Sequence, residues 1–546
     1  MTFDLTREPW IPVRWIASEG GPPEIDLRKA LCEAHRIREL TAPPLQTAAL
    51  YRLLQALFIR LYVHPEEKRD DEDWDEQDWF ELWERGHLDS GRVHDYFDRW
   101  QDQRERFDLL HPERPFYGHP NPVKPSEGRT NWLVPVWAKG NNETLFDHTT
   151  DDACQSLSLA EAARAVVETQ AWALGGLAGP GRLRFEDAPL SRGLVFWIRG
   201  GNLFEALLLN TPPARFARMR SGSDDLPTWE WDELPDSTPG AETGYLNFLT
   251  WPSRHIRLLK SEHGSEIDAV LIAQGKKWIS DIHDPLWARR TKNDGTPYPF
   301  KLRKEQALWR EAPSWLGLQL EDKKHLPPST FQWLANESGP GGDLNDVDLP
   351  WNIDVFGLAN DKAKWELIRH ERLVLHTSLL RSQILQSRVE AAVDQANRQA
   401  RILRGALYTF AQRISTDGDA GSVLEALQGE RRYWSLLETG FEFGSDREHD
   451  FGTWLEMLAG LASVGAETSD ARAEASREHL FQWTRTIHRA AVRAYDEATD
   501  AFVGSPRDME AVALGRTRLS AVEAYSEALA QTENSSPSLT PTSSHD

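Results

Sequence analysis

Four His-Asp dipeptides, His94-Asp95, His283-Asp284, His449-Asp450 and His545-Asp546, are the residue pairs most able to do chemistry in this chain. A metal-dependent phosphohydrolase of the histidine–aspartate class needs such a pair among helices, with further His and Asp ligands. His449-Asp450 fits that pattern best, because it lies between two helical stretches with His479 and His488 on the later one. Against this, 17 His in an Asp-rich chain produce such dipeptides by chance, and one of the four stands in the C-terminal tail. A short motif carries weight only in its structural context. No phosphate-binding Gly-x-x-x-x-Gly-Lys-Ser/Thr string, no His-Glu-x-x-His and no Gly-x-Ser-x-Gly occurs. Cys32 and Cys154 allow at most one disulfide and no Cys-based metal centre. They are expected to be reduced thiols.

Basic clusters point to a different chemistry. Residues 287–304 hold Arg289, Arg290, Lys292, Lys301, Arg303 and Lys304 against the single acid Asp294, with aromatics between them. Asn293-Asp294-Gly295 marks a turn. A basic hairpin or finger there would present cations to phosphate or to a groove; a solvated surface turn is the plain alternative. A second cluster, Arg381, Arg388, Arg398, Arg401 and Arg404, follows one helical stretch with few acids. Gly175, Gly176, Gly179 and Gly181 form a Gly-rich loop followed by Arg182, Arg184 and Arg192. Glycines there would let backbone approach a ligand closely. It follows a helix rather than a strand, so it is no phosphate loop. Lys139, Gly140, Asn141, Asn142, Phe146 and His148 belong to a polar loop whose one large aromatic has little local core to bury it. Such a loop suits insertion into a partner.

The elements that must carry these residues fall into two textures. A chain of 546 residues exceeds one ordinary domain. Hydrophobic residues at 40% and charged residues at 27% are ordinary for a globular protein. The 23 Trp are not, and several are expected to anchor irregular segments. The net charge of −23 argues against autonomous, non-specific nucleic-acid binding, though not against a local basic surface on a subunit of a larger complex. No apolar run is long enough to span a membrane, and the N-terminus lacks a signal pattern, so a cytoplasmic location is expected.

Residues 1–362 read as a mixed α/β domain with long loops. Pro43-Pro44 opens a buried helix through Val63. The stretch 158–174 reads as a helix with Ser158 as cap and Glu161 at the capping-box position. The runs 194–198 and 203–209 look like two strands around Gly200-Gly201. Beyond, residues 363–531 read as long helices over about 365–414, 419–442, 448–463, 471–503 and 507–531, with short links that imply an antiparallel bundle. In the fourth, Leu480, Trp483, Ile487, Ala491, Ala494 and Ala498 share one face. Residues 532–546 are Ser/Thr/Pro-rich and expected to be disordered.

Several strings occur in an order that resembles the CasA family, the large subunits of type I-E CRISPR Cascade complexes. They are Glu8-Pro9-Trp10-Ile11-Pro12-Val13, the 140–148 loop, the 175–181 loop, Ala312-Pro313-Ser314-Trp315 and Leu403-Arg404-Gly405-Ala406-Leu407-Tyr408-Thr409-Phe410-Ala411. The resemblance implies an N-terminal α/β domain, a C-terminal four-helix bundle and no catalytic activity, metal or cofactor. It implies as partners the other Cascade subunits with their crRNA, double-stranded target DNA, and the helicase–nuclease that degrades the target. The protein reads a short protospacer-adjacent motif and the guide reads the rest. By resemblance, Phe146 takes the aromatic position of the docking loop, and Gly175, Gly176, Gly179 and Gly181 the glycine loop. The lysine finger falls on Lys292, with Arg289 and Arg290 as alternatives. The wedge that intrudes between separating strands falls near Arg381 and Gln383.

Overall fold

A computed structural model describes residues 2–18, 20–65, 74–134, 155–178, 183–217, 224–279, 284–303, 306–317, 319–320, 323–336, 339–340, 350–361, 364–415, 418–463, 469–502 and 504–533. They form two compact units. The first comprises Met1–Gln306, Ser314–Asn345 and Leu349–Thr377; the second comprises Ala307–Pro313, Asp346–Asp348 and Ser378–Asp546.

The first unit is organised around the helix Pro44–Tyr62, which starts at a proline in its first turn as expected. Every residue from 47 to 61 is buried, so its polar side chains need partners inside the protein. Arg52 donates to the carbonyls of Leu249 (2.9 Å) and Phe248 (2.7 Å) and to Asp284 Oδ2 at 3.0 Å. Arg60 makes a two-pronged pair with Glu230, Nε donating to Oε1 and Nη2 to Oε2, each at 2.9 Å. Gln55 donates to the Asn210 carbonyl at 2.7 Å. Removing one partner of such a buried pair costs about 3–5 kcal/mol.

Beside this helix lies a three-stranded antiparallel sheet in the order Lys364–His376, Pro350–Asp361, Val195–Arg199. Ile353 pairs with Leu373 on one side and Ile198 on the other. Residues 364–376, expected to open the first long helix, are therefore a strand. Its thirteen residues are held by a partner strand ending three residues earlier, and tertiary pairing overrides local periodicity. Glu39 accepts from Arg14, Arg199 and Arg372, and Asp354 faces Arg199, Arg372 and His370, so one ion cluster ties five segments together.

The run 203–209, expected as a strand, is a helix, Leu203–Leu209. Its cause is local: the Asn202 side chain accepts the Glu205 amide at 2.9 Å while the Glu205 carboxylate accepts from Gly201 N at 2.6 Å. These bonds satisfy amides that a helix start leaves open, where a hairpin needs a ladder. The helix Leu159–Trp172 begins as read from sequence, with Ser158 and Glu161 forming a complete capping box. The tryptophans pin irregular backbone: Trp10 to the Leu5 carbonyl, Trp74 to Thr211, Trp79 to Leu208 and Trp251 to Lys276.

The second unit is helical: Gln383–Ile414, Ala420–Leu427, Gly429–Thr439, Phe451–Ser463, Ser469–Thr499 and Pro506–Glu533, with a short hairpin of Phe441–Phe443 and Asp446–Glu448. Trp309, Trp434, Phe451, Trp454 and Trp483 form its aromatic centre, Trp309 stacking on Phe451 at 4.5 Å. The Trp483 indole donates to Ala392 O (3.1 Å) and the Tyr433 hydroxyl to Ala396 O (3.0 Å), locking two helices onto Gln383–Ile414. Leu480, Trp483, Ile487, Ala491 and Ala494 are buried as their spacing predicts, and Ala498 is half-buried. At Gly515 a Cβ would lie 2.8 Å from Ala406 O and collide with the Tyr495 hydroxyl, so glycine sets the closest approach of these helices.

Candidate nucleic-acid interface

The basic segment is a hairpin. Arg289–Thr291 pairs antiparallel with Pro297–Pro299, in the register Arg289 to Pro299, Arg290 to Tyr298 and Thr291 to Pro297. A third strand, Lys323–Leu326, backs it on the other edge. The Lys292 amide donates to Thr296 O at 2.9 Å and the Gly295 amide to Lys292 O at 3.0 Å. Gly295 has φ +85°, which only glycine adopts freely. The Asp294 carboxylate accepts the Thr296 amide at 2.9 Å. That bond, with the Thr296 hydroxyl and the Lys292 charge, holds its pKa below the usual carboxylate value.

The three candidate cations of this hairpin sit in different surroundings. Arg290 is half-buried, 4.6 Å over the Phe300 ring, and donates to Ser314 Oγ at 2.8 and 3.2 Å. Arg289 is likewise half-buried. Lys292 is exposed at the tip, and its ammonium makes no hydrogen bond or salt bridge to a described residue. A guanidinium already engaged by a hydroxyl and a ring is a brace; an exposed ammonium on a fixed turn is available to a ligand.

The glycine segment is a second hairpin, with Gly176–Ala178 paired to Leu183–Phe185. Gly175 donates to Asp187 Oδ1 at 2.7 Å. Gly176 carries φ +147°. Gly179 and Gly181 lie outside the described residues, as does Arg182. The two hairpins are joined by the segment between them. Lys301 Nζ lies 4.0 Å from Asp187 Oδ2, the Leu194 amide donates to Phe300 O at 2.9 Å, and the Phe300 amide donates to Ala288 O at 2.9 Å. A Cβ at Gly193 would stand 3.0 Å from Pro299, so the segment lies flat against the basic hairpin.

Sequence reasoning missed Arg254, which braces the glycine hairpin at its base. Buried on the neighbouring strand Arg254–Lys260, it donates to Leu174 O (2.9 Å), before the hairpin, and to Glu186 O (2.8 Å), after it. Its guanidinium packs 4.9 Å over Phe185. Burial lowers its pKa to about 10, so it stays charged at neutral pH. Asp187, Lys301 and Ser314 were also missed as positioning residues. Their signal was non-local, since the contacts of Asp187 with Gly175, Ser314 with Arg290 and Lys301 with Asp187 span 12, 24 and 114 positions.

Arg381 and Gln383 flank a helix break in the second unit. Thr377–Arg381 ends, Ser382 has extended backbone and caps Leu385 N at 3.3 Å, and Gln383–Ile414 begins. Gln386 donates to the Leu379 and Leu380 carbonyls at 3.1 and 3.0 Å, which fixes the bend. Arg381, Gln383 and Ile384 are exposed on it. Along the same helix Arg398, Arg401 and Arg404 are exposed, while Arg388 is half-buried and reaches Ser476 Oγ at 3.4 Å. Lys139, Gly140, Asn141, Asn142, Phe146 and His148 all fall outside the described residues.

The His-Asp pairs do not build a metal centre among the described residues. No three His, Cys, Asp or Glu side chains there are placed to hold one metal ion. Asp284 is the counter-ion of buried Arg52. Asp450 caps the helix Phe451–Ser463 by accepting the Thr453 amide at 3.0 Å. His479 bonds the Trp454 carbonyl at 2.9 Å, and burial lowers its pKa. His283 and His545 lie outside the described residues. No described helix is long and apolar enough to cross a membrane.

Residues 4–494 match the family described as CRISPR-associated protein Cse1. The CasA/Cse1 protein of Thermus thermophilus is 32% identical over 489 residues, covering 84% of this chain and 91% of that protein. The solved structure of Thermus thermophilus CasA (Cse1) superposes with a TM-score of 0.74 at 26% identity, over 95% of this chain and 98% of that one. A chain of a structure described as a CRISPR RNA-guided surveillance complex gives a TM-score of 0.70 at 22% identity, over 95% and 99%.

Proposed function

The chain belongs to the CRISPR-associated Cse1 (CasA) family, and from that premise we propose that it is the large, non-catalytic subunit of a type I-E surveillance complex. In this reading it joins the other complex subunits and their crRNA in the cytoplasm and binds double-stranded target DNA. It recognises the protospacer-adjacent motif, helps open the duplex and recruits the helicase–nuclease.

One observation carries the reading furthest. Lys292 is an exposed ammonium at the tip of a rigid hairpin, while Arg290 beside it is committed to Ser314 and Phe300. Lys292 and the glycine hairpin, which share the segment 187–194 as common support, approach the motif from the minor-groove side. Donor and acceptor patterns there are degenerate, so more than one motif sequence is tolerated. Phe146 and its loop dock the subunit. Arg381 and Gln383, rigidly backed by the helix break, intrude at the first base pairs. The chain's net charge of −23 is compatible with this role because the assembled complex supplies most of the nucleic-acid affinity.

The test is co-purification of the chain with the remaining complex subunits and crRNA, followed by selection from duplexes with a randomised motif. Incorporation together with enrichment of a restricted motif set, lost when this chain is omitted, is the expected result. Incorporation without any motif enrichment would contradict motif reading.

A further inference from the structure

The register of the basic hairpin fixes which side chains accompany Lys292. The amides of Lys292 and Phe300 donate to Thr296 O and Ala288 O, and Arg290 pairs with Tyr298 between them. Antiparallel ladders alternate, so 288/300, 290/298 and 292/296 are the hydrogen-bonded pairs. Residues two apart along a strand share a face, so Phe300, Arg290, Tyr298 and Lys292 follow one another on one face from base to tip. Burial falls along it. Phe300 is buried, Arg290 is half-buried and drawn back onto Phe300 and Ser314, and Tyr298 is 39% exposed beside the exposed Lys292. The Tyr298 hydroxyl makes no hydrogen bond to a described residue. The same register turns positions 297 and 299 to the open edge of the sheet, where both are prolines with no amide to donate, which blocks addition of a further strand. Tyr298 is thus an aromatic that neither packing nor strand pairing uses.

The two exposed heads differ in chemistry. An ammonium carries three donors and no acceptor, whereas a phenol hydroxyl both donates and accepts. In the minor groove every base pair presents acceptors, and the one donor is the guanine 2-amino group. Lys292 can therefore engage any pair but cannot accept from guanine. The Thr296 hydroxyl and the Asp294 carboxylate, two other oxygen-bearing groups near the tip, are bonded to each other. We infer that Tyr298 is a specificity-determining residue of this hairpin. Its hydroxyl accepts from the guanine 2-amino group of one motif base pair, while Lys292 donates to a groove acceptor nearby. The inference rests on the motif-reading function proposed above and names the distinction made there, G·C against A·T. Diagonal cross-strand positions stand about 7–8 Å apart, roughly two base-pair steps of about 3.4 Å, so the two heads address separate base pairs. Six Lys/Arg against the single acid Asp294 in residues 287–304 suit a groove flanked by phosphate.

The experiment uses the complex assembled with the full chain. A favoured motif is selected from randomised duplexes with the parent, and each of its G·C pairs is then replaced in turn by inosine·cytosine, which removes only the 2-amino group. The parent is expected to lose affinity about three- to tenfold at one position, the scale of one hydrogen bond. Tyr298→Phe keeps the ring and is expected to bind the guanine and inosine duplexes equally. Asn293→Ala, at the exposed turn, is expected to keep the parent's ratio. A selection that enriches no motif would remove the motif-reading function and this inference with it. A selected motif with the same guanine-to-inosine ratio for Tyr298→Phe and the parent would overturn the role of Tyr298 alone. So would a parent indifferent to inosine at every position, or a selected motif without a G·C pair. Failure of Tyr298→Phe to co-purify with the complex would overturn it in favour of protein docking.

Discussion

Gly175 donates its amide to Asp187 Oδ1 at 2.7 Å, and a Cβ on Gly175 would lie 2.8 Å from Phe185 O and 3.0 Å from Asp187 N. The base of the glycine hairpin thus admits no side chain at 175. Gly175→Ala is expected to cost about 1–3 kcal/mol, the scale of overpacking against backbone that cannot yield. Asp187→Ala removes the acceptor and is expected to cost about 1–2 kcal/mol. Because the two residues touch, the double variant is expected to lose less than the sum. Chemical denaturation of the four proteins checks this; strict additivity would separate the two effects.

Arg254 holds the same hairpin from the other side through the Leu174 and Glu186 carbonyls. Arg254→Met keeps the apolar stem but strands both acceptors. It is expected to destabilise the protein by about 2–4 kcal/mol, the range for losing hydrogen bonds to a buried charged group. Hydrogen exchange at residues 174–187 is expected to accelerate more than in the helix Pro44–Tyr62. Uniform acceleration would show that Arg254 supports the unit as a whole rather than the hairpin.

How much of this was legible in the sequence follows from where each cause lies. Ser158 with Glu161, Pro43-Pro44, and the Asn293-Asp294-Gly295 turn act within four residues of themselves, and each was read correctly. Residues 203–209 were misread because the leucines hid the capping exchange between Asn202 and Glu205. Residues 364–376 were misread because their partner strand, not their own spacing, decides their state. Charge and turn chemistry marked the basic hairpin, while Lys292 within it was chosen by the family resemblance, with Arg289 and Arg290 as alternatives. What singles it out from Arg290 is Ser314, a contact that only the folded chain reveals.

Glu168 is buried on the helix Leu159–Trp172, and burial raises its pKa to about 8. In the folded chain it keeps its proton up to that pH, whereas the unfolded chain releases it near 4.5. The folded state therefore binds more protons between these values, and this residue's contribution to stability falls as pH rises through that window. The limiting slope is about 1.4 kcal/mol per pH unit. Glu168→Gln is expected to flatten the decline in stability between pH 6.5 and 8. An unchanged profile in chemical denaturation across that range would show that Glu168 ionises normally.

Arg381 and Gln383 stand at a helix break fixed by Ser382 and Gln386. The double variant Arg381→Ala with Gln383→Ala is expected to impair R-loop formation on a fully paired duplex. On a target with a pre-opened bubble beside the motif it is expected to act normally, since separating a base-pair step costs on the order of 1–2 kcal/mol. Equal loss on both substrates would assign these residues to docking or structure.

The most direct measurement is the affinity of the assembled complex for duplexes with a favoured and a scrambled motif, comparing the parent with Lys292→Ala. Lys292→Ala is expected to weaken the favoured motif by roughly 1–3 kcal/mol, the scale of one lost groove contact, and to leave the scrambled motif nearly unchanged. The melting temperature is expected to stay constant, because Lys292 is exposed. Equal weakening on both duplexes would make Lys292 a phosphate contact only. No weakening on either would contradict the assignment of the hairpin tip and move the reading cation to Arg289 or Arg290.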